Sequence, residues 1–211
     1  MDILVIFIIL IFSAIVHEVS HGLVAEKLGD STARDEGRIT LNPIPHIDPF
    51  GTILMPLMLW FGTGGRFFFG AAKPVPVNFN NLKWPKLGMA LVSLAGPLSN
   101  VCLAVLLLIP IKLGIANSIS APILYKGIYI NLLLGVFNLI PIPPLDGSKI
   151  IFSFLPDNLM YKILSLERFG FILVLFFVFS GLFGYILFPV IIFFWQVFGL
   201  DFMALSMIFG G

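Results

Sequence analysis

Two histidines and a glutamate interrupt the apolar opening of this chain. Ile3 to Val16 carries no charge, and His17, Glu18 and His21 follow at once in "AIVHEVSHGL". Helical residues four apart share a face, so the His17 and His21 imidazoles point the same way. Glu18 lies about 100° round the helix, within reach of a water on a metal held by the pair. H-E-x-x-H spacing supplies two nitrogen ligands and a general base for metal-assisted hydrolysis. The plainer reading is a polar patch sealing a helix interface. Ionisable groups inside a membrane span are costly and usually functional, which favours the metal.

A hydrolytic zinc takes three protein ligands and keeps one position for water. The third is expected in "FNLIPIPPLDGSK", where Asp146 follows Pro141, Pro143 and Pro144 at the end of an apolar run. Prolines break the helix there, and irregular chain at membrane depth is tolerated where it lines a cavity. Such chain can aim a carboxylate sideways. An N-cap role for Asp146, with Gly147 as turn residue, is the competing reading. His46, in "NPIPHIDP", is the third and last histidine. It is open to three roles: a fourth metal contact, a transition-state donor or a turn residue. Of these, a polar contact near the metal is the expectation.

The elements that must position these groups are membrane helices. The chain has 211 residues, is 59% hydrophobic and only 11% charged, and its mean hydropathy is +1.07. Soluble domains do not reach such values, so the fold class is an all-α polytopic membrane protein. A net charge of +1 implies no nucleic-acid partner. The single cysteine, Cys102, excludes an internal disulfide and a thiolate metal cluster, and reads as packing. The first apolar run has no Lys or Arg before it and is expected to be a retained span.

A span needs about 20 mostly apolar residues. Residues 3–28, 87–111 and 125–142 meet this, the last with a slightly earlier start. Residues 169–200 form an uncharged run too long for one upright helix, with Pro189 as the expected break. The tail to Phe209 then completes one or two C-terminal helices, or lies in the interface. Residues 52–61 are apolar but short, which suits a re-entrant or interfacial segment. "GRITLNPIPHIDPFG" and "RFFFGAAKPVPVNFN" flank it and predict extended chain. The whole, 1–211, reads as a single membrane-embedded domain, with a core over about 1–150 and C-terminal helices over about 168–209.

With the N-terminus outside, one side carries Lys27, Arg34, Arg38, Arg66, Lys73, Lys83, Lys86, Lys149, Lys162 and Arg168. The other carries only Lys112 and Lys126. The positive-inside rule makes the first side cytoplasmic. His17 lies fifteen residues from Asp2, about 22 Å of helix, which sets the His pair in the cytoplasmic half of the bilayer.

These motifs together resemble the site-2 protease family of intramembrane zinc metalloproteases. "HEVSH" is similar to its H-E-x-x-H, "NLIPIPPLDG" to its N-x-x-P-x-x-x-x-D-G, and "AGPLSN" to its Gly-Pro-x-x-Asn signature. The likeness covers about residues 10–150. It implies a three-helix catalytic core, one zinc held by His17, His21 and Asp146, and Glu18 as the base. Substrates would be transmembrane proteins or peptides in the lipid bilayer, cut within or near their spans. A compact member is implied: residues 112–124 leave no room for an inserted PDZ domain, and a C-terminal nucleotide-sensing domain is not expected. Asn138 would hold the substrate backbone, orient Asp146 or bond to another helix. Asn100 is expected to be structural, supporting the site or the helix contact, and Gly96 to allow close helix approach. Residues 39–54 and 66–80 would pair with an unwound substrate as an added strand, or remain surface loops.

The alternative from another class is a non-proteolytic metal-binding membrane protein or divalent-ion transporter. A transporter needs polar residues continued through several helices, and the outer halves of these spans offer few.

Overall fold

The computed structural model describes residues 2–62, 72–164, 167, 169–201, 205 and 208. Every regular element among them is helical. The chain opens with α1 (Asp2–Lys27). At about 1.5 Å per residue this helix is long enough to cross about 30 Å of hydrocarbon. Leu4, Ile8 and Phe12 are exposed along one stripe, while Ser13 and His17 are buried. Four-residue spacing produces both faces.

A one-turn helix, α2 (Thr32–Asp35), follows. The Asp30 carboxylate accepts from the Thr32 N–H and hydroxyl, and also from the Asn78 N–H and the Asn81 side-chain amide. One buried carboxylate thus ties together two loops far apart in sequence. Residues 44–46 form a 3₁₀ turn, and a π turn over Pro49–Leu54 leads into α3 (Met55–Gly62). α3 is too short to cross a bilayer. Of the expected extended chain, residues 72–78 form no regular element, while 44–54 holds a 3₁₀ turn and a π turn instead. Residues 66–71 of that expectation lie outside the described residues.

Pro85 opens α4 (Pro85–Lys112), at a position where its missing N–H costs nothing. Seven residues join α4 to α5 (Ser120–Asn138). α5 stops short of the expected Ile142. Pro141 disfavours helical geometry at the residue before it, so the chain leaves the helix earlier. Two short helices come next, α6 (Asp146–Phe152) and α7 (Asp157–Leu164).

The C-terminal apolar run forms α8 (Gly170–Phe179) and α9 (Leu182–Val197), bent by 77°. Pro189 does not break it but sits inside α9. The break is at Gly181, whose φ of 73° lies in the left-handed region, with its N–H bonded to the Val178 carbonyl. Glycine ends a helix this way without a Cβ clash. Neighbouring helices in a membrane tolerate one proline inside a span. The expected last helix toward Phe209 falls largely outside the described residues.

α4 touches α1, α5 and α6, and α5 also meets α1 and α9. Ala104, Ile128, Leu132 and Trp195 are fully buried between α4, α5 and α9. Among the described residues three helices are long and apolar enough to cross a membrane, or four if the bent pair is one span. The three-helix core with C-terminal additions is therefore present.

Candidate metal centre

α1 sets His17 and His21 one turn apart, with ring centroids 4.7 Å from each other. Beyond α5, irregular chain carries Asp146 to the head of α6. Its Oδ2 lies 3.0 Å from His17 Nε2 and 3.3 Å from His21 Nε2. Leu145, not Asp146, holds the N-cap position of α6, so the carboxylate is free to face the histidines. All three residues are buried, and their candidate ligand atoms lie within 4.8 Å of one another. Zinc with ligands at about 2.0–2.2 Å in a tetrahedron spaces them by about 3.3–3.6 Å.

The remaining ring nitrogens are held from outside. His21 Nδ1 lies 2.7 Å from the Val92 carbonyl, and His17 Nδ1 lies 2.7 Å from Asn100 Oδ1. A carbonyl only accepts, so each Nδ1 carries the proton and each Nε2 keeps its lone pair for a metal. Metal-ligating histidines are oriented in this way. Space is provided by Gly96 on α4. A Cβ there would stand 2.5 Å from the Nε2 atoms of both His17 and His21. Donor types, tautomers and the open cradle all fit zinc.

Glu18 stands outside this cluster. Its Oε2 accepts the Val75 N–H at 2.8 Å, which ties the expected base to the irregular chain at 72–78. That chain is held from its other end too. Buried Arg38 donates from Nη2 to the Lys73 and Pro74 carbonyls at 2.9 and 3.2 Å. The Lys73 N–H donates to the His46 carbonyl at 2.9 Å.

His46 is buried, and its Nε2 donates to the Thr40 carbonyl at 2.9 Å. It is not among the clustered ligand atoms. Asn138 donates to the Leu134 carbonyl one turn back in its own helix at 3.0 Å. Asn100 is buried against His17 and also donates to Asn131 Oδ1 at 3.0 Å. Arg38 and Asn131 escape a motif-based reading. The signal for Asn131 is a lone amide in the middle of an apolar span, where a polar side chain must find a partner.

Comparison with known proteins places the chain in a family. The family model described as Peptidase family M50 matches residues 111–183. The chain belongs to this family, the site-2 proteases. It is 41% identical over 193 residues to "Putative zinc metalloprotease YwhC" of Bacillus subtilis, covering 87% of this chain and 84% of that one. It is 29% identical to "Putative zinc metalloprotease Rip2" of Mycolicibacterium smegmatis, over 78% of this chain and 62% of the relative. "Zinc metalloprotease MJ0392" of Methanocaldococcus jannaschii is 31% identical over 74% of this chain, which spans 36% of that protein. No solved structure matches.

Proposed function

We propose that this M50 zinc metalloprotease cuts its substrates inside the membrane, within or near their transmembrane segments. The observation that carries the reading is a buried His17, His21 and Asp146 cluster enclosed by apolar spans α1, α4 and α5. His17, His21 and Asp146 are the ligands in this account. Zinc held there would supply Lewis-acid chemistry, lowering the pKa of a water and polarising a peptide carbonyl. Glu18 takes the proton from the attacking water and returns it to the leaving amine. Asn100 orients His17 from behind. His46 and Arg38 hold the chain at 72–78 beside Glu18.

A helical peptide bond is shielded by its own hydrogen bonds, so the substrate must unwind before it reaches Glu18. The irregular chain at 72–78 is the segment beside which an unwound substrate would lie and pair as an added strand. Asn138, at the mouth of the Asp146 turn, is the further candidate for substrate contact. The whole chain acts as one peptidase unit, with its N-terminus outside and the catalytic cluster in the cytoplasmic half of the bilayer. The ten-to-two division of basic residues supports that orientation.

The test is cleavage of a transmembrane peptide by the zinc-loaded protein in lipid vesicles, with the cut mapped by mass spectrometry. A cut inside the hydrophobic segment, abolished by a zinc chelator, is expected. Cuts confined to soluble flanks would contradict intramembrane action. Full zinc content with no cleavage of any membrane peptide would favour a metal-binding membrane protein instead.

A further inference from the structure

A buried ladder of amides runs from the metal cluster across the bundle. His17 Nδ1 meets Asn100 Oδ1 at 2.7 Å. Asn100 Nδ2 donates to Asn131 Oδ1 at 3.0 Å and to the Ser13 carbonyl at 3.3 Å. Asn131 Nδ2 donates to the Gly127 carbonyl at 2.9 Å, one turn back in α5. Asn100 and Asn131 are 0% and 1% exposed, so water cannot substitute for any of these partners.

The ladder has only one consistent direction. A helix carbonyl accepts and cannot donate, so the Gly127 oxygen requires the Nδ2 end of Asn131. Asn131 then turns Oδ1 toward α4. An amide oxygen also only accepts, so Asn100 must present Nδ2. The Ser13 carbonyl accepts from the same end of Asn100, at a longer 3.3 Å than the Asn131 contact. Asn100 is left with Oδ1 facing His17, and His17 must donate from Nδ1. Its Nε2 is then unprotonated and aimed at Asp146 and the Gly96 cradle. Every step follows from donor and acceptor types.

We propose that Asn131 is a positioning residue that acts through Asn100 to hold His17 in the tautomer able to ligate zinc. The inference rests on the reading of His17 as a ligand. It assigns α5 a part in the metal site that neither Asp146 nor the H-E-x-x-H motif supplies. Loss of the Asn131 acceptor frees one Nδ2 hydrogen of Asn100 and weakens its grip on the amide orientation. A reversed Asn100 would offer N–H to His17 Nδ1 and shift the proton to Nε2, where it blocks the metal.

The test is zinc affinity of the purified protein, measured by competition with a chromophoric chelator. Three replacements of Asn131 separate tautomer control from packing. Asn131→Leu removes both functions. Asn131→Ser satisfies Gly127 by bonding back to its carbonyl, but its short side chain cannot reach Asn100. Asn131→Asp, neutral in this apolar setting, donates to Gly127 and accepts from Asn100 as the native amide does. Leu and Ser should each weaken zinc by about tenfold, the lower end for outer hydrogen-bond partners of metal ligands. Asp should restore affinity to within about threefold of the parent on the same scale. Should the Leu protein fail to fold, the comparison of Ser with Asp decides alone. Native affinity in Ser, or equal losses in Ser and Asp, would overturn the proposal. His17→Ala is the separate control and should lose the metal. If it keeps full zinc, the ligand assignment fails, whatever Asn131 does.

Discussion

Gly96 shows how little room the cluster leaves. An alanine methyl there would meet His17 Nε2 and His21 Nε2 at 2.5 Å, the two atoms that would face zinc in the proposed site. Neither imidazole can retreat freely, because Asn100 and the Val92 carbonyl hold their far sides. Overpacking a filled site costs about 1–3 kcal/mol. Gly96→Ala should therefore lower zinc affinity by about tenfold or more. Gly184→Ala in α9, where a Cβ meets nothing within 4 Å, should leave it unchanged. Equal affinities in the two variants, read by chelator competition, would mean that Gly96 does not face the metal. At this scale the clustering of the candidate ligands is legible in the sequence, since ionisable residues in an apolar run announce themselves. Asn131 and Arg38 are not. Their roles come from partners 31 and 35 residues away, Asn100 and Lys73, and no local spacing encodes that pairing.

Among the segments, the irregular chain at 72–78 touches the expected base through the Val75 N–H. Asp30 anchors its end through the Asn78 N–H. Burial alone would raise the Asp30 carboxyl. Hydrogen bonds from Thr32, Asn81 and Asn78 outweigh burial and hold it below its ordinary value of 3.8. A carboxyl with a folded value below the unfolded one stabilises the fold above the unfolded value, and loses that contribution as pH falls through the folded one. Protection of the Asn78 amide from hydrogen exchange, relative to its intrinsic rate, should therefore fall on acidification below pH 3.8. Asp30→Asn, whose amide nitrogen cannot accept, should exchange quickly already at neutral pH. Identical exchange in variant and parent would remove Asp30 as the anchor. In the C-terminal run, Pro189 is the conspicuous breaker, yet the turn forms at Gly181, where a left-handed residue closes α8. Composition marks both residues as breakers, and packing among α5, α8 and α9 selects between them.

For the whole molecule, the length of the apolar runs is enough to mark α1, α4 and α5 in the sequence. The α5 end point is less legible, because Pro141 acts on the residues before it. Orientation rests on charge: seven of the twelve basic residues lie between Lys27 and Lys86. Cysteine substitutions at Ser31 and Asn80 should both be labelled from the cytoplasmic side. Labelling from opposite sides would mean that the chain crosses between them, and the three-helix core would need redrawing. In the proposed site, metal holding falls to His17, His21 and Asp146 and proton transfer to Glu18 beside them. Zinc content by mass spectrometry, measured beside cleavage of a transmembrane peptide, tests this division on two variants at once. Glu18→Gln should keep about one zinc per chain and lose cleavage by at least about a hundredfold, the scale of a lost general base. Asp146→Ala should lose zinc and cleavage together, because a carboxylate ligand is gone. Full zinc occupancy in Asp146→Ala, or native cleavage by Glu18→Gln, would contradict the account.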